Sequence, residues 1–216
     1  FLMNIINKKV LLRLDLNVPL KNNKVKDNFK IENSLPTIQY LLEQNCKIII
    51  ATHLGRPKGR MNQKHSTDIL AKELESLLET KVLKVDACIG EEIKNKIDKT
   101  RSKLIMLENL RFYKEELEND FVFAHGLADL ADVYVNDAFA VCHREHASVS
   151  AITRFIPSYG GLALHTEVVE LQKALKPVKP AVWIVGGAKF SKVDFITQAL
   201  KKADFVLIGG ALIFSF

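Results

Sequence analysis

Four stretches of the chain place cations, amides and histidines directly after runs of aliphatic residues. "LLRLDLNVPL" carries Arg13, Asp15 and Asn17, and "KIIIATHLGRPKGR" carries His53 and Arg56. "LIMLENLRF" carries Asn109 and Arg111, and "VYVNDAFAVCHREHAS" carries Asn136, Asp137, His143, Arg144 and His146. Arginine suits one chemistry above others, because its planar fork meets the oxygens of a phosphate or carboxylate two at a time. A charge-assisted hydrogen bond contributes about 1.5 to 3 kcal/mol. Micromolar binding needs about 8 kcal/mol, so a few convergent arginines suffice for a small polyanion. Singly, each residue has an ordinary reading: a solvated cation, a half-buried histidine, or, for Asp15 and Asn17 ahead of Pro19, a turn. Only convergence separates a site from these, and convergence depends on the elements that carry the residues.

Those elements read as an α/β protein with a parallel sheet, short aliphatic runs alternating with segments of helical period. Strands are expected at 10–14, 48–52, 82–85, 104–107, 133–135, 181–185 and 205–208. Helices are expected at 35–44, at 67–78 with Ser66 capping its first turn, from Asp120 to about residue 130, and at 166–175. Open parallel sheets bind ligands at the carboxyl ends of their strands, where all four stretches fall. Alternation along an extended chain would turn Arg13, Asp15 and Asn17 to one side. After 166–175, the prolines of "KPVKP" stop the helix. "AVWIVGGAKF" and "DFVLIGGALIFSF" then read as two central strands of a second parallel sheet, too few to cover themselves. The expected division is a first domain over 1–163, a helix and hinge over 164–178, and the start of a second domain over 179–216.

Composition sets wider limits. A chain of 216 residues that is 48% hydrophobic can bury a substantial core. No apolar run reaches the roughly 18 residues of a spanning helix, and the first residues lack the regions of a signal peptide, so a soluble, cytoplasmic chain is expected, with its true start at Met3 or upstream. Cys46, Cys88 and Cys142 are widely spaced and odd in number, which fits reduced thiols. Cys142, His143 and His146 lie close in sequence, but no partner motif completes a zinc set, and no metal ligand is assigned. The net charge of +6 is compatible with nucleic acid, but no aromatic-rich basic stripe accompanies it, so no nucleic-acid or membrane partner is expected. A salt titration separates the cases, since duplex binding weakens steeply with salt.

"RLDLNVPL", "LPTIQYLL", "THLGRPKG", "LENLRF", "LADVYVNDAF", "HREHAS" and "VGGAK" stand in the order and spacing of phosphoglycerate kinases. The sequence resembles that family over nearly its whole length. The resemblance implies a three-layer, Rossmann-like first domain that binds 3-phosphoglycerate or 1,3-bisphosphoglycerate, a second domain that binds Mg-ADP or Mg-ATP, and a monomeric enzyme of glycolysis. It implies that Asp15 and Asn17 hold the glycerate end, that His53, Arg56, Arg111 and Arg144 hold the phosphate with His143 beside them, and that Arg13 supports the loop. Lys30 and Lys189 are the implied catalytic cations. Gly187, Ala188, Lys189, Lys192, Gly209, Gly210 and Ala211 are the implied nucleotide site, which lacks the spacing of a Walker loop.

Three departures from the family pattern bear on activity. "NFKIENSLPTI" puts Lys30 where the family has a catalytic arginine, keeping the charge and losing the fork. "GGAKFSKVD" is one residue short of the pattern, which turns Lys192 about 100° around a helix axis. The chain ends at "GGALIFSF", ahead of the family's acidic Mg-nucleotide residues, so it is expected not to complete catalysis alone. A different class of function, a non-catalytic anion-binding remnant of a kinase half, is favoured by the same departures.

Overall fold

The computed structural model describes residues 5–22, 24–187 and 193–215. These form two compact units, residues 1–165 and 166–216. In the first, β1 (Lys9–Leu14), β4 (Lys47–Ala51), β5 (Val82–Lys84), β6 (Leu104–Met106), β7 (Val133–Asp137) and β8 (Ser158–Gly160) build a six-stranded sheet in the order β5-β6-β4-β1-β7-β8. Every pairing in it is parallel. The sheet is buried on both faces, which is why its central strands are aliphatic throughout rather than alternating with polar residues.

Period-two geometry then sorts those side chains into two cores. Val10, Leu12 and Leu14 of β1 join Ile48, Ile50, Leu104, Met106 and Val135 on one face, while Leu11 joins Ile49, Ile105 and Tyr134 on the other. Helices α2 (Leu35–Glu43) and α3 (Asp68–Leu78) cover the first face through Ile38, Leu41, Leu70 and Leu74. Helices α4 (Glu91–Lys99) and α6 (Phe121–Ala128) cover the second through Ile93, Ile97, Phe123 and Leu127. The result is the expected three-layer α/β architecture.

Several elements depart from expectation. The hairpin β2 (Leu20–Lys21) and β3 (Lys24–Val25), the edge strand β8 and the helix α4 were not read from sequence. Two- and three-residue strands carry no period, but α4 has a signal: Ile93 and Ile97 one turn apart, glutamates in the first turn and lysines in the last. Ser66 does not occupy the cap position of α3. That position is Thr67, whose N–H goes to Glu108 Oε1 at 2.9 Å, although Ser66 Oγ still accepts from Asp68 N at 3.3 Å. Asp120 does cap α6, its Oδ1 accepting from Phe123 N at 2.7 Å.

Helix α7 (Leu162–Leu175) starts four residues before the expected 166. Its first turn is anchored by Asp137 at the end of β7, whose Oδ1 accepts from Leu164 N at 2.9 Å and whose Oδ2 accepts from Thr37 Oγ1 at 2.6 Å. Gly161 makes the approach possible, since a Cβ there would lie 2.4 Å from the Asp137 carboxyl.

In the second unit β9 (Val182–Gly186) and β10 (Phe205–Gly209) pair in parallel around α8 (Val193–Leu200). Val185, Ile196 and Leu212 form a small core, while Val182, Ile184, Phe205 and Leu207 remain exposed on the other face of the pair.

Candidate anion-binding site

At the carboxyl edge of the six-stranded sheet, β1, β4, β6 and β7 deliver their following loops side by side. The register puts Arg13 opposite Ala51 on one side and Asn136 on the other. Strand β1 ends at Leu14, so alternation does not carry Asp15 and Asn17 to the same side as Arg13. Arg13 instead turns inward and is 1% exposed. Its Nε donates to Ser148 Oγ at 3.0 Å, Nη1 to the Leu14 carbonyl, and Nη2 to His53 Nδ1 at 3.1 Å. Arg13 is therefore a brace behind the site.

That brace decides the state of His53. A guanidinium can only donate, so His53 Nδ1 is the acceptor and the neutral ring carries its proton on Nε2. The ring is neutral because burial, followed by the charges of Arg13, Arg111 and Lys30, drives its pKa far below the ordinary imidazole value. A neutral Nε2–H donor offers an anion one directed hydrogen bond.

The turn after β4 is held from three directions. Asn17 Oδ1 accepts from Gly55 N at 2.8 Å, Arg111 Nη1 donates to the Gly55 carbonyl at 2.9 Å, and Asn109 Nδ2 donates to the carbonyls of Leu54 and His65 at 2.7 and 2.9 Å. Gly55 has φ +65°, and a Cβ there would lie 2.3 Å from the His65 ring, so only glycine fits. Arg56 leaves this turn exposed, as do His143 and Arg144 the loop after β7. Thr52 links β4 back to β1, donating to the Leu14 carbonyl at 2.9 Å and accepting from Leu16 N at 3.2 Å.

Cations dominate the edge. Arg111 is buried, and that burial, then the charges of Arg144, Arg13 and Arg56, disfavour its charge. Four arginines whose charges oppose one another make this edge strongly electropositive, the field that attracts anions. Lys30, on α1 (Phe29–Glu32), is satisfied locally instead, 2.6 Å from Asp15 Oδ2 with its side chain 44% exposed. Asp15 Oδ1 accepts from Asn17 N at 3.3 Å. Asn136 and Asp137 do not join the cluster: Asn136 Oδ1 accepts from Ala138 N, and Asp137 anchors α7.

Two buried glutamates that sequence reasoning passed over organise this edge. Glu108 accepts from Thr67 N, Thr67 Oγ1, Asn109 N, Ser66 Oγ and Lys84 Nζ. Glu116, on α5 (Lys114–Leu117), is fully buried and accepts from Ser148 N at 2.9 Å and Ser148 Oγ at 2.7 Å. Neither has a period or a spacing that marks it, since each acts through contacts distant in the chain.

Buried histidines make the fold acid-sensitive. Burial, then Arg111, Arg144 and Arg13, lower His146 from 6.5 to about 4, and His53 is lowered further. In the unfolded chain both take protons near 6.5, so below that the unfolded form binds more protons and stability falls with pH, the His146 share being complete only below about 4. Glu116 and Asp137, raised mainly by burial, act oppositely: their stabilisation is present at low pH and fades as pH rises through their folded values. Proton uptake on thermal unfolding is expected to grow as pH falls from 6.5 to 5, and His146→Gln is expected to reduce it by about one proton near pH 5. An unchanged slope in that variant would sink the assignment.

In the second unit, Gly186 and Gly209 end paired strands in register. Gly187 (φ 142°) and Gly210 (φ 65°) follow them, and a Cβ on Gly210 would lie 3.3 Å from Gly187 N. The two strand ends thus present adjacent backbone with an exposed Ala211. Ala188, Lys189 and Lys192 lie outside the described residues. Among the described residues, Cys46, Cys88 and Cys142 are free, no group of three or more metal-ligating side chains gathers, and no helix is long and apolar enough to cross a membrane.

A doubly covered parallel sheet with arginines and a neutral histidine at its carboxyl edge defines an α/β protein with a cationic strand-end edge. The phosphoglycerate kinase family model matches residues 2–216. The phosphoglycerate kinase of Moorella thermoacetica is 46% identical over 95% of this chain and 53% of the relative, and that of Dictyoglomus turgidum is 46% identical over 97% and 53%. The solved phosphoglycerate kinase structure from Coxiella burnetii superposes with a TM-score of 0.83 at 36% identity, covering 96% of this chain and 53% of that one. That from Pyrococcus horikoshii superposes at 0.85 and 33% identity, covering 96% and 54%. The chain belongs to the phosphoglycerate kinase family, and it spans about half the length of the curated relatives it matches.

Proposed function

We propose that the first unit is the acid-substrate half of a phosphoglycerate kinase, which transfers a phosphoryl group reversibly between 1,3-bisphosphoglycerate and ADP. The observation that carries this reading is the convergence of Arg56, Arg111, Arg144 and neutral His53 on one strand edge, with Arg13 braced behind them. In this reading those groups take the phosphate of 3-phosphoglycerate, with His143 beside them, and Asp15 and Asn17 take the glycerate end. Gly187, Ala188, Lys189, Lys192, Gly209, Gly210 and Ala211 border the seat of Mg-ADP or Mg-ATP, the co-substrate. Phosphoryl transfer depends on positioning and charge stabilisation more than on covalent chemistry by the protein. Lys30 and Lys189 supply that charge.

Calorimetric titration of 3-phosphoglycerate into the 216-residue chain tests the first half of the proposal. Saturable one-to-one binding is expected, and its absence in a folded chain would overturn the reading. The alternative, a non-catalytic anion-binding remnant, draws on Lys30, which lies in an ion pair with Asp15 and lacks the two-pronged geometry of arginine. In a polypeptide that completes the second domain, Lys30→Arg is expected to raise kcat by roughly tenfold with KM little changed, because the fork matters most in the transition state. Unchanged turnover would remove Lys30 from the catalytic set.

A further inference from the structure

We infer that Glu116 is a positioning residue for the anion site, acting through Ser148 and Arg13 to hold His53 as the Nε2–H tautomer. The inference rests on the reading of this edge as a phosphate seat, and it concerns residues behind the seat rather than in it.

With Glu116 ionised, the chain of contacts has only one consistent set of proton positions. Arg13 Nε can only donate, so Ser148 Oγ is the acceptor of their 3.0 Å bond. The hydroxyl proton of Ser148 is then free to point to Glu116 Oε1 at 2.7 Å, while Ser148 N donates to Glu116 Oε2 at 2.9 Å. Both oxygens of the carboxylate are thereby engaged by one residue. At the other end, Arg13 Nη2 donates to His53 Nδ1 at 3.1 Å, which leaves Nε2 as the protonated nitrogen. Four groups from β1, α5 and the loops after β4 and β7 thus share one directional network.

Electrostatics explain why a carboxylate belongs there. Glu116 is disfavoured as an anion by burial, and the groups that oppose this are Arg13, the two Ser148 bonds and Arg111. Arg13 is itself buried, with no carboxylate in direct contact among the described residues. The nearest negative charge in its network is therefore Glu116, one hydroxyl away. His146 Nδ1 lies 3.6 Å from Glu116 Oε1, beyond hydrogen-bond range, and has no other partner, so it does not share this role. Fully satisfied buried networks fix orientation more strictly than their separate bonds. A binding group must be held within a fraction of an ångström to be effective.

The test is long-range proton–nitrogen NMR of the histidine rings in the ¹⁵N-labelled chain, with His53 assigned by comparison with His53→Gln. The wild type is expected to show unprotonated Nδ1 and protonated Nε2 for His53. An Nδ1–H ring in the wild type would overturn the inference without any variant. Glu116→Gln keeps the shape but removes the charge, and is expected to give exchange between tautomers and about tenfold weaker 3-phosphoglycerate binding. Ser148→Ala is expected to do the same, whereas Ser148→Thr, which keeps the hydroxyl, restores the single tautomer. A merely structural glutamate would lower thermal stability and leave the ring signature unmoved. A single Nε2–H tautomer in folded Glu116→Gln or Ser148→Ala would therefore sink the inference. If the wild type itself fails to bind 3-phosphoglycerate, the reading of the seat fails, and the tautomer measurement still decides the role of Glu116.

Discussion

Arg144→Ala is expected to weaken 3-phosphoglycerate binding roughly ten- to a hundredfold while leaving thermal stability unchanged or slightly higher. The binding loss follows from removing one charge-assisted fork from a phosphate seat. The stability side follows from the free protein, in which Arg144 is the leading charged neighbour that disfavours the buried Arg111 cation. Arg144 is exposed, so its removal opens no cavity and leaves no buried donor without a partner. Such a trade is expected where like charges are gathered for a ligand that is not yet bound. Arg144→Lys should fall between, retaining the charge without the two-pronged geometry. Calorimetric titration and a thermal melt of the same preparations decide the matter. Wild-type affinity in Arg144→Ala would place the phosphate elsewhere, and a large drop in melting temperature would show that Arg144 has a structural role.

The largest stability loss is expected at Glu108. Its two oxygens take five donors: Thr67 N, Thr67 Oγ1 and Asn109 N on Oε1, and Ser66 Oγ and Lys84 Nζ on Oε2. Glu108→Ala orphans the backbone N–H at the start of α3 and that of Asn109, and leaves Lys84 with only Asp68 and Asp86, both more exposed partners. Breaking a buried pair on one side costs about 3 to 5 kcal/mol, and at roughly 2 to 4 °C per kcal/mol for a unit of this size the melt should fall by about 10 °C. Glu108→Gln is expected to lose nearly as much, because an amide offers one acceptor oxygen where five donors converge and would set its own N–H₂ against some of them. Burial disfavours the Lys84 ammonium, but its bonds to Glu108 and Asp86 outweigh that and hold its pKa above the ordinary lysine value. That stabilisation is therefore present at neutral pH and lost only as pH rises through the raised lysine value, so the melt belongs near pH 7. Asn109 links this hub to the turn that carries His53 and Arg56, so weaker 3-phosphoglycerate binding should accompany the lower melt. A fall of less than about 2 °C in either variant would mean that the hub relaxes around the loss.

Much of the architecture was legible because parallel strands buried on both faces must be aliphatic throughout. The runs at 10–14, 48–52, 82–85, 104–107, 133–135, 181–185 and 205–208 each lie within two residues of a strand end. The short elements were not legible in the same way. β8 is Ser-Tyr-Gly and the β2–β3 hairpin pairs two residues with two, so neither offers the aliphatic run that marked the equally short β5 and β6. Helix α7 gained its first turn from a carboxylate 27 positions upstream in β7, a contact that no local signal contains.

The sequence by itself determined that cations follow four strands, and elementary sheet geometry then required them to meet at one edge. It also carried the family motifs, since those are strings of neighbouring residues. Tertiary structure alone decided which members of the cluster are exposed at the edge and which are sealed behind it. Arg13 and Arg144 are the same residue type near the carboxyl ends of neighbouring strands, one within β1 and one in the loop after β7, yet the first is sealed behind Ser148 and His53 and the second is exposed. The proton on His53 and the anionic hub at Glu108 likewise depend on partners 40 or more positions away. Hydrogen-bond direction and desolvation are properties of groups brought together by the fold, and a linear chain fixes neither until it has folded.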